Sequence, residues 1–160
     1  MLLAERSIGV ATGHFIDATN GGQKTPPGRH DPSAVVGEIK TTEAPKRILV
    51  VEDNLDSVHT LAFLLIDMGH TVEYAINGYV ALDVAKRFRP DFVLLDLGLP
   101  GIDGFEVCRR MKQDPELRAV RVVALTAFSQ DEYRERAAKA GCELYLVKPV
   151  QAAVLEHLFG

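Results

Sequence analysis

The chain has 160 residues, 47% of them apolar, and a formal charge of -4 from 18 basic and 22 acidic side chains. That is enough for one globular domain with a core of its own, and a mild acidic excess excludes the clustered basic surface that nucleic acid or an anionic membrane requires. Two cysteines, Cys108 and Cys142, are too few and too distant in sequence for a disulfide framework or a zinc site, which points to a reducing cytoplasm.

No run approaches the roughly 20 apolar residues of a membrane span. Met1-Leu2-Leu3-Ala4 is broken at once by Glu5-Arg6, so no secretory signal core forms. Residues 1–45 hold neither a helical nor a strand period and are interrupted by Asn20-Gly21-Gly22, Pro26-Pro27-Gly28 and Asp31-Pro32. They read as a disordered leader or linker, and residues 46–160 as the folded domain.

From Lys46 onward strand and helix signals alternate. Arg47 to Val51 is a β-branched strand, and Leu61, Leu64, Leu65 and Met68 share one face of a helix over 55–68 that Gly69 ends. Thr71 to Tyr74 is the second strand. Gly78 to Phe88 is the second helix, capped by Asn77. Phe92-Val93-Leu94-Leu95 is an unbroken apolar run ending in Asp96, as suits a strand buried on both faces. Asp103-Gly104-Phe105-Glu106 reads as a capping box opening a helix to Gln113. A turn at Pro115 to Arg118 leads into a fourth strand, Arg121 to Leu125. Ser129-Gln130-Asp131-Glu132 reads as a second capping box, for a helix to Ala140 stopped by Gly141. Leu144 to Val147 is the fifth strand, and 150–159 a short last helix. Five strands alternating with five helices predict an α/β fold with a doubly wound parallel sheet.

The residues with chemistry fall at strand ends. Glu52 and Asp53 follow the first strand, Asp96 ends the third, Thr126 follows the fourth and Lys148 the fifth. In a doubly wound sheet the carboxyl ends share one edge, where ligands bind, so these residues gather despite their separation. Three carboxylates brought together repel one another unless a cation intervenes. A hard cation with oxygen ligands, Mg²⁺, resolves the conflict. With Mg²⁺ in place, an aspartate nucleophile, a lysine ammonium and a threonine hydroxyl are the parts of a phosphoryl-transfer site.

Four stretches carry a resemblance: Ile48-Leu49-Val50-Val51-Glu52-Asp53-Asn54, the run from Leu94 to Gly104, Leu125-Thr126-Ala127, and Leu146-Val147-Lys148-Pro149. In this order and spacing residues 46–160 resemble a response-regulator receiver domain of two-component signal transduction. The resemblance implies the flavodoxin-like strand order 2-1-3-4-5 and a cis Lys148–Pro149 bond. It implies that Asp96 accepts a phosphoryl group from a sensor histidine kinase or a histidine phosphotransfer protein. Asp53 and the Gly98 carbonyl would bind Mg²⁺ beside Asp96, Glu52 would act through the metal's water, and Thr126 and Lys148 would contact phosphoryl oxygens. Thr126 and Tyr145 would form the switch. Output would pass through the face of the fourth helix, fifth strand and fifth helix, to a downstream protein target or a second copy of the chain.

Glu52 stands where the family more often has aspartate. Gly98 and Phe128, two beyond the phosphoacceptor and the threonine, have no polar side chain to hold a hydrolytic water, so slow self-dephosphorylation is expected. Such a domain is a signalling phosphoacceptor that at most catalyses its own phosphorylation and dephosphorylation. Two other functions compete with this one: an aspartyl-phosphate hydrolase resembling the haloacid dehalogenases, which would need an acid at the position of Gly98, and a phosphate-independent adaptor of the same fold. Leu55, Val58, Ala62 and Ile66 form a second apolar flank on the first helix, which either packs against the last helix or docks a partner's helical bundle.

Overall fold

A computed structural model describes residues 44–160. The expected leader therefore lies outside the described residues, apart from its last two positions. Ten elements alternate without exception: β1 (Arg47–Val51), α1 (Leu55–Asp67), β2 (Thr71–Ala75), α2 (Gly78–Phe88), β3 (Phe92–Asp96), α3 (Gly104–Gln113), β4 (Arg121–Thr126), α4 (Asp131–Ala140), β5 (Leu144–Val147) and α5 (Ala152–Phe159). The sheet is parallel throughout, in the order β2-β1-β3-β4-β5. No helix among the described residues is long and apolar enough to cross a membrane.

β3 is central and buried along its whole length, which is why its sequence shows no alternation. Leu94 and Leu95 are both fully buried and point to opposite faces. One face holds Leu95 with Ala81, Ala85, Phe105, Val107, Met111 and Ala137 from α2, α3 and α4. The other holds Leu94 with Val58, Leu61, Leu65, Leu155 and Phe159 from α1 and α5. Burying a leucine or phenylalanine of this kind contributes about 1.5–3 kcal/mol.

The register sets the level of the site. Val51 pairs with Leu95, Asp96 with Leu125, and Thr126 with Val147. Backbone hydrogen bonding continues past the strands, from Glu52 N to Ala75 O (3.0 Å), Leu97 N to Leu125 O (2.9 Å) and Lys148 N to Thr126 O (2.7 Å). The strand ends are thus level to within a residue, and their side chains share one rim.

Most caps follow the sequence. Asn77 and Asp103 accept from Val80 N and Glu106 N, Gly141 ends α4 at φ 104°, and Asn54 adds an unforeseen cap by accepting from Ser57 N. The α3 box is half made, because Glu106 turns away from Asp103 to pair with Arg109 and Arg110. The second box does not form. α4 starts at Asp131 with Gln130 as its N-cap and no side-chain cap bond, which leaves Ser129 one residue outside the capping position. On α1, Val58 enters the core while Leu55 (49% exposed), Ile66 (44%) and Phe63 (70%) face solvent. The proposed flank is therefore split between core and surface. His70 is a buried histidine, 6% exposed. It accepts from Lys46 N through Nδ1 and stacks edge-on against Phe159.

Candidate phosphoacceptor site

Asp96 leaves β3 nearly buried and is held at both carboxylate oxygens. Oδ1 accepts the Gly98 amide at 2.9 Å, an Asx-type turn, and Oδ2 lies 3.1 Å from the Lys148 ammonium. The backbone beneath is pinned by α3. A Cβ on Gly104 would sit 2.3 Å from Asp96 O and 2.7 Å from Leu97 Cα, so only glycine lets the helix approach this closely.

Lys148 follows β5 and is preceded, as expected, by a strand and followed by a cis bond to Pro149. Its Nζ bridges two carboxylates, Asp96 and the buried Glu52, whose Oε2 lies at 2.5 Å. Glu52 Oε1 accepts from Asn54 N. Burial pushes the Glu52 carboxyl above its ordinary range and the nearby Asp96 adds to this, while Lys148 and the Asn54 amide oppose it. For Lys148, burial works against the charge, yet hydrogen bonds and attraction from Glu52 and Asp96 outweigh it and the ammonium is held protonated above the usual lysine range.

Asp53 completes the cluster from an exposed position, and carboxylate oxygens of Glu52, Asp53 and Asp96 lie within 4.8 Å of one another. Three carboxylates against one ammonium leave a local excess of negative charge in an all-oxygen setting. That donor set suits a hard divalent cation such as Mg²⁺ rather than a thiophilic metal.

Thr126, 2% exposed, ends β4 with Oγ1 accepting the Phe128 amide at 3.1 Å. Tyr145 is half-buried on β5, and its hydroxyl donates to Phe128 O at 2.6 Å. The β4–α4 loop is therefore held at Phe128 from both sides. A cavity of about 220 Å³ opens between Asp96, Gly98, Thr126 and Lys148 on one side and Phe105, Phe128 and Tyr133 on the other. Phe128 and Tyr133 stack face to face, 4.7 Å between centroids and 13° between planes.

Glu52, Asp53, Asp96, Gly98, Thr126 and Lys148, singled out in the sequence, thus lie around this rim, while Tyr145 sits further back on β5, in register with Ala124, and reaches the β4–α4 loop through its hydroxyl. Tyr133 was not among them. Its signal is weak, an aromatic in the first turn of a polar helix, and only the fold shows that it lies beside Phe128. The Gly104 approach was equally hidden behind a reading of the residue as part of a cap.

An acidic pocket on the carboxyl edge of a 2-1-3-4-5 parallel sheet is the arrangement found in phosphoacceptor domains of the receiver class. Residues 48–159 match the family model of the response regulator receiver domain, and the chain belongs to that family. It is 40% identical over 106 residues to the polar-differentiation response regulator DivK of Brucella anthropi, an alignment covering 66% of this chain and 86% of that protein. Among solved structures it is similar to the receiver domain of a sensor histidine kinase from Pseudomonas aeruginosa PAO1, with 34% identity, TM-score 0.67, and 72% and 95% of the two chains covered. That structure has a magnesium ion coordinated in its active-site cleft. The chemotaxis protein CheY4 of Vibrio cholerae superposes with TM-score 0.68 at 27% identity, over 72% and 97% of the chains.

Proposed function

We propose that Asp96 is the phosphoacceptor of a Mg²⁺-dependent phosphorelay in the cytoplasm, taking its phosphoryl group from a phosphohistidine of a sensor kinase or a phosphotransfer protein. The observation that carries this reading is the Lys148 ammonium held between Asp96 and Glu52 beside an open cavity. A carboxylate oxygen of Asp96 attacks phosphorus as the P–N bond of the donor breaks, and the bonding pair leaves with the histidine nitrogen. Lys148, charged throughout, takes up a phosphoryl oxygen. The Thr126 hydroxyl uses a lone pair for the Phe128 amide, which leaves its proton free to donate to another. Glu52, Asp53, Asp96 and the Gly98 carbonyl would hold Mg²⁺, which supplies positive charge to the phosphoryl oxygens when bound.

Output follows from the same contacts. Turning Thr126 towards a phosphoryl oxygen releases the Phe128 amide, and Tyr145 then loses its fixed acceptor. The loop and β5 rearrange together, which biases the α4–β5–α5 face towards a protein target or a second copy. Leu144 (36%), Val147 (40%) and Val154 (36%) are the exposed apolar side chains on that face.

The test is incubation with acetyl phosphate or phosphoramidate, with and without Mg²⁺, followed by intact mass. A phosphate-sized gain that needs Mg²⁺ and vanishes in Asp96→Asn is expected. A folded protein that gains nothing would overturn the reading in favour of a phosphate-independent adaptor.

A further inference from the structure

Cys108 and Cys142 are 34 positions apart in sequence, yet the fold brings their sulfurs to 3.5 Å. Both are free thiols. Cys108 is fully buried on the inner face of α3, while Cys142 follows Gly141 at the turn from α4 into β5 and is partly exposed. Of the pair, Cys142 is the residue with exposed surface, and its side chain packs against the same core that buries Cys108. Among the described residues the three-carboxylate cluster is the one group with metal-ligand spacing, so the two thiols lack the further ligands that a zinc site needs.

Their surroundings favour thiol chemistry. Lys112 packs its stem across Gly141, where an added Cβ would come within 2.7 Å of Lys112 Cγ, and its ammonium is fixed on Val120 O. The Cys142 S–H bond to Cys108, followed by the charges of Lys112 and Arg109, draws the Cys108 thiol below its usual range despite burial. The same bond, with burial and the charge on Cys108, pushes Cys142 up. The two thiols therefore titrate as a coupled pair in which Cys108 gives up its proton more readily than Cys142.

We propose that Cys108 and Cys142 form a reversible disulfide by exchange with a small-molecule disulfide of the glutathione type. Cys142 attacks one sulfur of the reagent as its proton passes to Cys108 across the 3.5 Å contact, an S–S bond forms, and the reagent thiolate that leaves takes up that proton. The Cys108 thiolate then attacks the Cys142 sulfur of the mixed disulfide, and the second reagent thiolate leaves. Two cysteines are oxidised, one disulfide is reduced, and the two cysteine protons end on the two released thiols. Closing from 3.5 Å to the ~2.05 Å of a disulfide needs a shift of about 1.5 Å, within reach of side-chain rotation. The bridge would join α3 to the turn that feeds β5, the strand carrying Tyr145 and leading to Lys148. In a reducing compartment such a bond is transient, as suits a sensor of redox state rather than a structural staple.

The full chain is incubated with oxidised glutathione and analysed by intact mass and peptide mapping, then treated with dithiothreitol. Expected are loss of two hydrogens from the monomer, a cross-linked pair of peptides containing Cys108 and Cys142, and full reversal by the reductant. The oxidised monomer should also melt several degrees higher, because the unfolded chain is constrained. Cys108→Ala should trap one glutathione on Cys142, and Cys142→Ser should leave Cys108 unmodified while the circular dichroism stays native. A lasting glutathione adduct on wild-type Cys142, disulfide-linked dimers, or no reaction at either thiol would each overturn the proposal.

Discussion

The Lys148 ammonium lies 3.1 Å from the Asp96 carboxylate while its other contact, Glu52, is almost wholly buried. One cation thus separates two anions that would otherwise face each other. Lys148→Met removes the separation and, under the proposed function, the positive charge that would meet a phosphoryl group. Phosphorylation by phosphoramidate should slow about 100-fold, the scale seen when one preorganised stabilising group is deleted. Stability should change in the unfavourable direction too, since Glu52 is left buried without its partner. Single-turnover kinetics and urea unfolding read the two effects separately.

His70 provides a pH dependence on the opposite edge of the sheet from Asp96. Burial holds its imidazole below the ordinary histidine value, with some opposition from Phe159 and a further lowering by Lys46. Between the folded pKa and the unfolded value of about 6.5, the unfolded chain binds a proton that the native chain does not, so stability rises with pH in that window. The loss begins as pH falls below about 6.5 and stops growing once the folded pKa is passed. Urea midpoints measured from pH 7.5 down to pH 5 should fall in the wild type. The slope over that range should flatten in His70→Leu, and equal slopes would refute the assignment.

Gly104→Ala should destabilise by about 1–3 kcal/mol, the usual range for overpacking, because the new methyl meets the Asp96 and Leu97 backbone rather than a movable side chain. Gly98→Ala is the contrast. Its nearest neighbour would be Asp96 Oδ1 at an ordinary 3.5 Å, so the change should stay within about 0.5 kcal/mol. Thermal melts of the two variants side by side check both.

Tyr145→Phe removes the hydroxyl that holds Phe128 O. A hydrogen bond of this kind contributes about 0.5–1.5 kcal/mol, so opening of the β4–α4 loop should become roughly 2- to 10-fold more frequent. Hydrogen exchange in peptides spanning 127–133 should accelerate by that factor, with β3 unchanged.

The aspartyl phosphate should persist for minutes or longer, since Gly98 offers no side chain and Phe128 no polar atom to position an attacking water. Phe128→Ala, which breaks the stack with Tyr133 and opens the cavity, should shorten that lifetime. Decay of the phosphorylated mass peak after donor removal gives both values.

The ten elements were legible because each announces itself locally. Phe92 to Leu95 is a run with no polar residue, Asn77 and Asp103 are true caps, and Gly69 and Gly141 end their helices at positive φ. The Glu52, Asp53, Asp96, Thr126 and Lys148 constellation was legible through topology, since a parallel sheet must gather its strand ends. What sequence did not disclose depends on contacts between distant segments. The burial of His70 depends on Phe159 from the far end of the chain, the cysteine pair on the packing of α3 beside α4, and the Phe128–Tyr133 stack on the course of one loop. The false capping box at Ser129 has a different origin. Local spacing fitted, but the helix begins one residue later than the box demands.

The backbone hydrogen bonds that run past the strand ends have a mechanical consequence. Glu52, Leu97 and Lys148 each remain tied into the sheet by their own amides, so the residues flanking the charged pocket cannot shift without breaking sheet hydrogen bonds. Phe128 has no such tie: its amide and carbonyl are held by two side-chain hydroxyls, Thr126 and Tyr145. Compliance is therefore unequal around the pocket, with a stiff floor and one soft wall. A load applied at Asp96 would yield first at the soft wall, so the contacts set a direction for any response.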